Sequence, residues 1–406
     1  MNLAQGFLLA LTGHALRLGS GMLVFVVLAR VLGPTDFGAF SYWLAIATLL
    51  TIPVNYGFGT MVLHRFGSEP EHAQRTMDEV LTARLTLGGV ALAVGLCTLP
   101  WLSPHAAALF GALLVAQTCE SFNELYTLGF RAKSQFREET ITASLVSAWH
   151  IVVMLTVTLW LHDAVAAAWA FAASRCSGML LTRLRCHRYF GAVRPAPLRT
   201  TPGTLRRSWA YALELGLFTT YSQLDSLIIN TFMGPAVLGL YQAGMKLNQG
   251  ASRVAPVLAQ ILLPELSRRA VAGTGHDFAR YAARTVGVFA GIGACGAAVL
   301  MVNPTALANL LFGQKYTGLA PLLPLFGCML FMQFVETGAG LTLVARGLQS
   351  KKVWLVAAQL VLLLSAGAMM LRQHGLAGWQ LTNIASVAAL VLAYGWLHRQ
   401  HRRRHA

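Results

Sequence analysis

Charge is what this chain has least of. Only 11% of its 406 residues are charged, against about 25% in a typical soluble domain, while 56% are hydrophobic and the mean hydropathy is +0.58. Acids are scarcer still, with 15 Asp and Glu set against 31 Lys and Arg, for a net charge of +16. No long polar stretch remains that could fold as a separate soluble domain. The six cysteines form no CxxC pair, and Cys97, Cys119, Cys295 and Cys328 lie inside apolar segments, so neither a metal site nor a disulfide framework is indicated. A Walker-type GxxxxGK[ST] loop is missing, which argues against an ATP-driven machine. A basic leader region is missing too, since the first Lys or Arg is Arg17. The first apolar stretch therefore reads as a retained span, not a signal peptide.

What the chain does have is apolar runs of about 20 residues, the length that crosses a bilayer, repeated from end to end. About twelve helices are expected, near 10–32, 38–62, 80–100, 106–130, 141–161, 164–183, 209–232, 238–263, 281–302, 319–345, 353–371 and 375–397. Gly33-Pro34, Pro100 to Pro104, Gly234-Pro235 and Asn303-Pro304 supply the turn signals between them. The fold class read from this pattern is an all-α polytopic membrane protein.

The cations then fall on one side. Arg65, Arg75 and Arg84, the group at Arg131, Lys133 and Arg137, and the run from Arg183 to Arg207 share one set of loops. Arg268 to Arg284, Arg346 to Lys352 and the tail from Arg399 to Arg404 join them, and the other set holds only Arg30, Lys315 and Arg372. Such a bias places the first set in the cytoplasm, with both termini. It accounts for the net positive charge without a nucleic-acid partner.

A repeat divides the chain. Leu32-Gly33-Pro34-Thr35-Asp36-Phe37-Gly38-Ala39-Phe40 returns as Met233-Gly234-Pro235-Ala236-Val237-Leu238-Gly239-Leu240-Tyr241, in each copy joining the first and second helix of a half. Six spans per half make the repeats parallel, related by an axis along the membrane normal. The expected organisation is a six-helix lobe over 1–190, a cytoplasmic linker over 191–208, a second six-helix lobe over 209–397 and a basic tail over 398–406, with the lobes around a central cavity.

These residues carry a resemblance. Leu28 to Gly38, then Asn55-Tyr56-Gly57-Phe58-Gly59 before Arg65, then Tyr221-Ser222-Gln223-Leu224-Asp225 through Gly239-Leu240-Tyr241 to Lys246-Leu247, resemble the polysaccharide transporter family. That family comprises the flippases for O-antigen and exopolysaccharide repeat units, within the superfamily of multidrug and oligosaccharidyl-lipid exporters. The resemblance implies translocation of polyprenyl-diphosphate-linked oligosaccharides across the bacterial cytoplasmic membrane by alternating access, through rocking of the halves. It implies no cofactor, coupling to an H+ or Na+ gradient or to the membrane potential, and membrane lipid and the lipid-linked glycan as partners. Association with polysaccharide polymerase and chain-length machinery is a further expectation.

Charges inside spans mark the site, since each costs about 2.5–3.5 kcal/mol at a helix centre. The cations are Arg17, Arg175, Lys246 and Arg253, and the acids are Glu120, Glu124, Glu214, Asp225 and Glu336. Gln242, Lys246, Gln249, Arg253 and Gln260 fall within an arc of about 60° on one helix. This twice-cationic stripe suits a diphosphate, with amides for sugar hydroxyls. Snorkelling to a membrane surface would account for one of its two cations, and is the competing reading for Arg17.

Glu214, Tyr221 and Asp225 share a face. So do Gln117, Glu120, Ser121 and Glu124, where acids at i and i+4 repel unless one binds a proton or a cation lies nearby. For these acids, and for the isolated Glu336, ion coupling and plain charge pairing both stand. His150 is expected to be a packed, hydrogen-bonded histidine. Two rivals stay open: an ion-coupled drug antiporter, which wants an acid-lined cavity, and an enzyme acting on lipid-linked sugars, for which no nucleophile–base constellation is visible.

Overall fold

The computed structural model describes residues 19, 21–272 and 275–405, and none of them is in a strand. The helices are α1 (Gly21–Leu32), α2 (Pro34–Leu50), α3 (Ile52–Asn55), α4 (Phe58–Ser68), α5 (Ala73–Thr98), α6 (Pro104–Ala132), α7 (Phe136–Leu161) and α8 (Ala164–Tyr189). They continue as α9 (Thr201–Met233), α10 (Pro235–Ser252), α11 (Val254–Ala272), α12 (Gly275–Val302), α13 (Pro304–Phe312), α14 (Leu323–Ala345) and α15 (Gln349–His405). The all-α membrane architecture read from the sequence is the one observed.

Six helices among the described residues are long and apolar enough to cross a bilayer, and α2 with α3 and α4 adds a seventh as a span bent by 44°. The twelve expected are not all recovered on that criterion, because polar faces count against a helix. α6 and α9 have 29 and 33 residues, ample length for a span, but carry Glu120, Glu124, Glu214 and Asp225.

Breaks fall where backbone chemistry demands them. Helix two, expected as one piece over 38–62, stops at Thr51, passes Pro53 and turns through two successive left-handed residues, Tyr56 (φ 39) and Gly57 (φ 63). Helix eight, expected over 238–263, pauses at Arg253 between α10 and α11. The last two expected helices run together in α15, interrupted at Gly375 (φ 61, ψ −150), a conformation open essentially to glycine alone.

The chain divides into two compact units between Asn230 and Thr231. In the first, α6 packs most extensively on α8 through small residues. Ala112 and Ala116 on α6, and Ala168 and Ala172 on α8, are all buried. A methyl group on Gly129 would come within 2.6 Å of the Cys186 sulfur. Close backbone approach of this kind drives helix association in lipid, where burying apolar surface gains little. A second cluster, with Phe58, Met77, Val80, Leu125, Phe130 and Phe190, fills the end where α4, α5 and α6 meet. In the second unit α12 packs on α14, where Phe334 and Leu330 close on Gly293 and Gly296.

Candidate functional site

The cationic stripe is positioned by the other face of its helix. Tyr241, Gly244, Leu247 and Asn248 of α10 are buried. Phe326 of α14 lies against Gly244, leaving no room for a side chain there, and the Asn248 amide donates to the Phe326 carbonyl at 3.2 Å. With that face fixed on α14, Gln242, Lys246 and Gln249 are half-buried on the opposite side, and Arg253 and Gln260 are exposed. Lys246 Nζ lies 3.5 Å from Gln249 Oε1, and its ammonium is within electrostatic range of the Arg253 guanidinium. Two like charges on one face, with amides between them, form a surface that an anion would neutralise.

Glu336 does not join the stripe. It accepts from the Tyr394 hydroxyl at 3.1 Å and pairs with Lys352 at 3.5 Å, tying α14 to α15. Glu214 is exposed on α9, and Asp225, further along, is half-buried. Arg17 lies outside the described residues.

The acids of α6 each have a cation. Arg175 of α8 donates to Glu120 at 3.1 Å and also stacks over the Phe171 ring, 4.9 Å from its centroid. Glu124 lies within electrostatic range of Arg84. Beside the Glu120–Arg175 rung the thiols of Cys119 and Cys176 are 2.8 Å apart. His150, as expected, is buried and hydrogen-bonded, to Ser174 Oγ at 2.8 Å, with its ring edge-on to Phe171. A cavity in this unit is lined by Glu120, Asn123, Glu139, Ser147, His150 and Arg175, with other residues of α6, α7 and α8 and with Gly21.

Sequence reasoning missed Arg84, which it assigned to a cytoplasmic loop. It is a correction: Arg84 sits on α5 at 1% exposure, its Nε and Nη1 without a hydrogen-bond partner, its guanidinium 6.0 Å from the Phe58 ring centroid. Its position four residues inside the expected span was the available signal.

Also missed was a strap formed by the expected linker. Gln74, Asp78 and Thr82 lie four apart on α5. They bind the Ala192 carbonyl at 2.9 Å, the Arg194 N–H at 2.8 Å and the Ala196 carbonyl at 2.9 Å. The geometry matches because four helical residues rise about 6.0 Å while two extended residues advance about 6.6 Å. Directly after Asp78, buried Glu79 takes Arg75 at 3.0 Å and Arg207 of α9 at 2.7 Å. Among the described residues no group of three or more His, Cys, Asp or Glu is arranged to hold a metal.

Comparison with known proteins agrees in direction. Residues 3–269 match the family described as polysaccharide biosynthesis protein. A Shigella dysenteriae protein, named by inference as an O-antigen transporter, is 22% identical over 313 residues, 72% of this chain and 74% of its own. Among solved structures, the lipid II flippase MurJ in an inward closed conformation superposes with TM-score 0.76 at 11% identity, over 97% of this chain and 87% of that one. An inward-facing multidrug resistance MATE family transporter gives 0.71 at 15%, over 93% of each chain. A mutant of the Vibrio cholerae MATE transporter VcmN gives 0.63 at 15%, over 99% and 97%.

Proposed function

Since the chain belongs to the polysaccharide biosynthesis protein family, we propose that it flips polyprenyl-diphosphate-linked oligosaccharide repeat units across the bacterial cytoplasmic membrane, by alternating access, for a surface polysaccharide. The observation that carries the reading is the cationic face of α10 and α11. A sugar hydroxyl taken into hydrocarbon without a partner costs several kcal/mol, so a glycan needs a polar path, and its diphosphate needs cations. Lys246 offers a point charge, Arg253 a bidentate fork, Gln249 an amide between them and Gln242 another one turn before Lys246. The polyprenyl tail stays in lipid. The same polarity disfavours a cationic drug, the cargo of the rival antiporter reading. Both termini face the cytoplasm on the distribution of Lys and Arg.

Outward passage of negative charge is downhill when the inside is negative. Each elementary charge crossing 100 mV releases about 2.3 kcal/mol, and a diphosphate carries more than one, so the membrane potential or an ion gradient can drive the cycle. Deleting the gene in its host, and restoring wild type or Arg253→Ala at matched expression, tests the reading. Loss of surface glycan, accumulation of the lipid-linked unit and rescue by wild type alone are the expected results. Intact surface glycan with altered drug sensitivity would hand the assignment to the antiporter.

A further inference from the structure

The first unit holds a second pocket, apart from the cationic stripe and from the cavity beside Glu120. It lies where α4 turns into α5, next to the start of α9. Arg65, Glu69, Arg75, Glu79 and Arg207 line it, with His72 and Thr76 at the start of α5. The distribution of Lys and Arg predicts this end to be cytoplasmic. The volume is about 170 Å3, against about 40 Å3 for the cavity beside Glu120. At about 10–15 Å3 per water it has room for about ten waters, so a phosphate group fits with space to spare.

Both acids of the pocket are already engaged. Glu79, at 6% exposure, accepts from Arg75 Nε at 3.0 Å on one oxygen and from Arg207 Nη2 at 2.7 Å on the other. Glu69 accepts from Arg65 Nη2 at 2.8 Å, with the His72 ring 3.7 Å away. A guanidinium carries five N–H donors, yet each of these arginines meets its carboxylate through one nitrogen. Arg207 also donates to Gly203 and Thr204 of its own helix. The other N–H groups of the three have no acceptor among the described residues. Arg65 is the telling member, because at 23% exposure it is held inward with a single carboxylate oxygen to bind. Three guanidiniums against two carboxylates leave the pocket positive. The backbone adds to this charge. α5 begins here with no acid in its first turn and no capping bond from the side chain of its N-cap, His72. The partial positive charge of that helix end therefore faces the pocket uncompensated.

We infer that this pocket binds a phosphate group arriving from the cytoplasmic side, at a site separate from the stripe on α10. Planar guanidinium forks match phosphate oxygens two at a time. Glu79, held by two arginines at once, fixes the orientation of both and has no free oxygen to turn against the anion. A cation has no such welcome, since it would have to displace an arginine from each carboxylate. The ligand touches α4, α5 and α9 together, so it clips the start of α9 to the turn between α4 and α5. A lipid diphosphate, a phospholipid headgroup and soluble pyrophosphate share this chemistry. The inference goes beyond the transport reading and stands whatever the cargo.

Two arms separate the sources. Both use the full chain carrying Lys246→Gln and Arg253→Gln, so that the stripe cannot contribute. In the first, pyrophosphate is titrated into the detergent-solubilised protein and the heat of binding recorded, at constant ionic strength because salt screens exposed charges. In the second, thermal unfolding is followed in phosphatidylcholine vesicles with increasing phosphatidic acid, whose headgroup is a bare phosphate and whose binding stabilises the fold by mass action. Saturable binding of pyrophosphate assigns a soluble phosphate or a lipid diphosphate. Stabilisation by phosphatidic acid alone assigns a phospholipid headgroup. In either arm Arg75→Gln is expected to raise the half-maximal concentration about tenfold or more. That side chain is 76% exposed, so the fold tolerates its loss. Glu69→Gln is the decisive variant. It removes a negative charge and frees Arg65, so a phosphate site binds more tightly, whereas a plain network of ion pairs gains no affinity for either probe. Silence in both arms, or responses that Arg75→Gln and Glu69→Gln leave unmoved, overturn the site.

Discussion

The two halves turn their first corner in the same way. Gly33 adopts φ 81 and ψ 174, and Gly234, at the matching place 201 residues on, adopts φ 82 and ψ 173. The residues after each corner also keep register. Phe37 and Leu238 are both 0% exposed, and Phe40 and Tyr241 are 0% and 1% exposed. The helices behind them run 17 and 18 residues before they break, at Thr51 and at Arg253. Beyond that point the halves part. The first break is built from backbone, with Pro53, Tyr56 and Gly57 turning the chain, and the second places a cation where the first has none. In the first unit Glu79, Glu120, Glu138 and Glu139 each hold an arginine. The second unit pairs Glu265 with Arg268 and Arg269 and Glu336 with Lys352, and it also carries Lys246 and Arg253 on the polar face of α10 and at its break. A shared frame therefore carries charge in two arrangements: the first unit spreads its ion pairs over several helices, and the second adds two cations, Lys246 and Arg253, on one helix face.

The largest effect should come from erasing that difference. Lys246→Gln with Arg253→Gln keeps the polarity of the face and removes both cations. Each charge-assisted contact to a diphosphate is worth about 1.5–3 kcal/mol, so export should fall by about 100-fold or more with the fold retained. Surface glycan, normalised to the amount of protein in the membrane, reads this out. Transport near wild-type level would mean that presented charge is not what the second half contributes.

Next in size is the break in the first half. Gly57 is left-handed, and a methyl group there would run into the backbone of Tyr211 on α9. Gly57→Ala must strain φ and push α9 away, and a destabilisation of about 3 kcal/mol or more is expected, in the range of overpacked cores and strained backbone together. Thermal unfolding in detergent measures it. Gly234→Ala sharpens the comparison, because nothing lies within 4 Å of the added methyl. Only the backbone conformation is taxed, by about 1–3 kcal/mol.

Apolar length and turn residues were legible in the sequence, because each is a property of a single element. The shared face of Gln242, Lys246 and Gln249 was legible too, since helical period alone puts those residues together on α10, whereas the break at Arg253 was not, and it puts Gln260 on the next helix. The partners were not. Whether Glu120 meets Arg175, 55 residues away, depends on how closely α6 and α8 approach, and that rests on Ala and Gly positions which look like any other small residue in an apolar run. Arg84 was misplaced for the same reason: near a span boundary an arginine reads as a loop cation, and only the packing of α4, α5 and α6 encloses it. The segment 190–200 carried prolines and arginines and read as a free linker, because the acceptors and donors that pin it lie more than 100 residues earlier on α5.

That strap yields the smallest and most graded test of how the first unit keeps its polar groups engaged. Gln74, Asp78 and Thr82 each make one bond to the extended chain, and a typical hydrogen bond contributes about 0.5–1.5 kcal/mol net. One such loss raises the population of locally opened strap by about fivefold, and all three together by about 100-fold, if the bonds act independently. Arg199 is the site at which to read it, because trypsin cleaves poorly at Arg194 before Pro195. Cleavage rates at Arg199 should therefore climb stepwise through Gln74→Ala, then Gln74→Ala with Thr82→Ala, then the triple variant with Asp78→Ala. Asp78→Asn should fall below Asp78→Ala in effect, since its amide oxygen still accepts the Arg194 N–H. A single jump at the first substitution would mean that the strap opens as one cooperative piece. No change even in the triple variant would mean that the ion pair between Glu79 and Arg207 holds the start of α9 by itself.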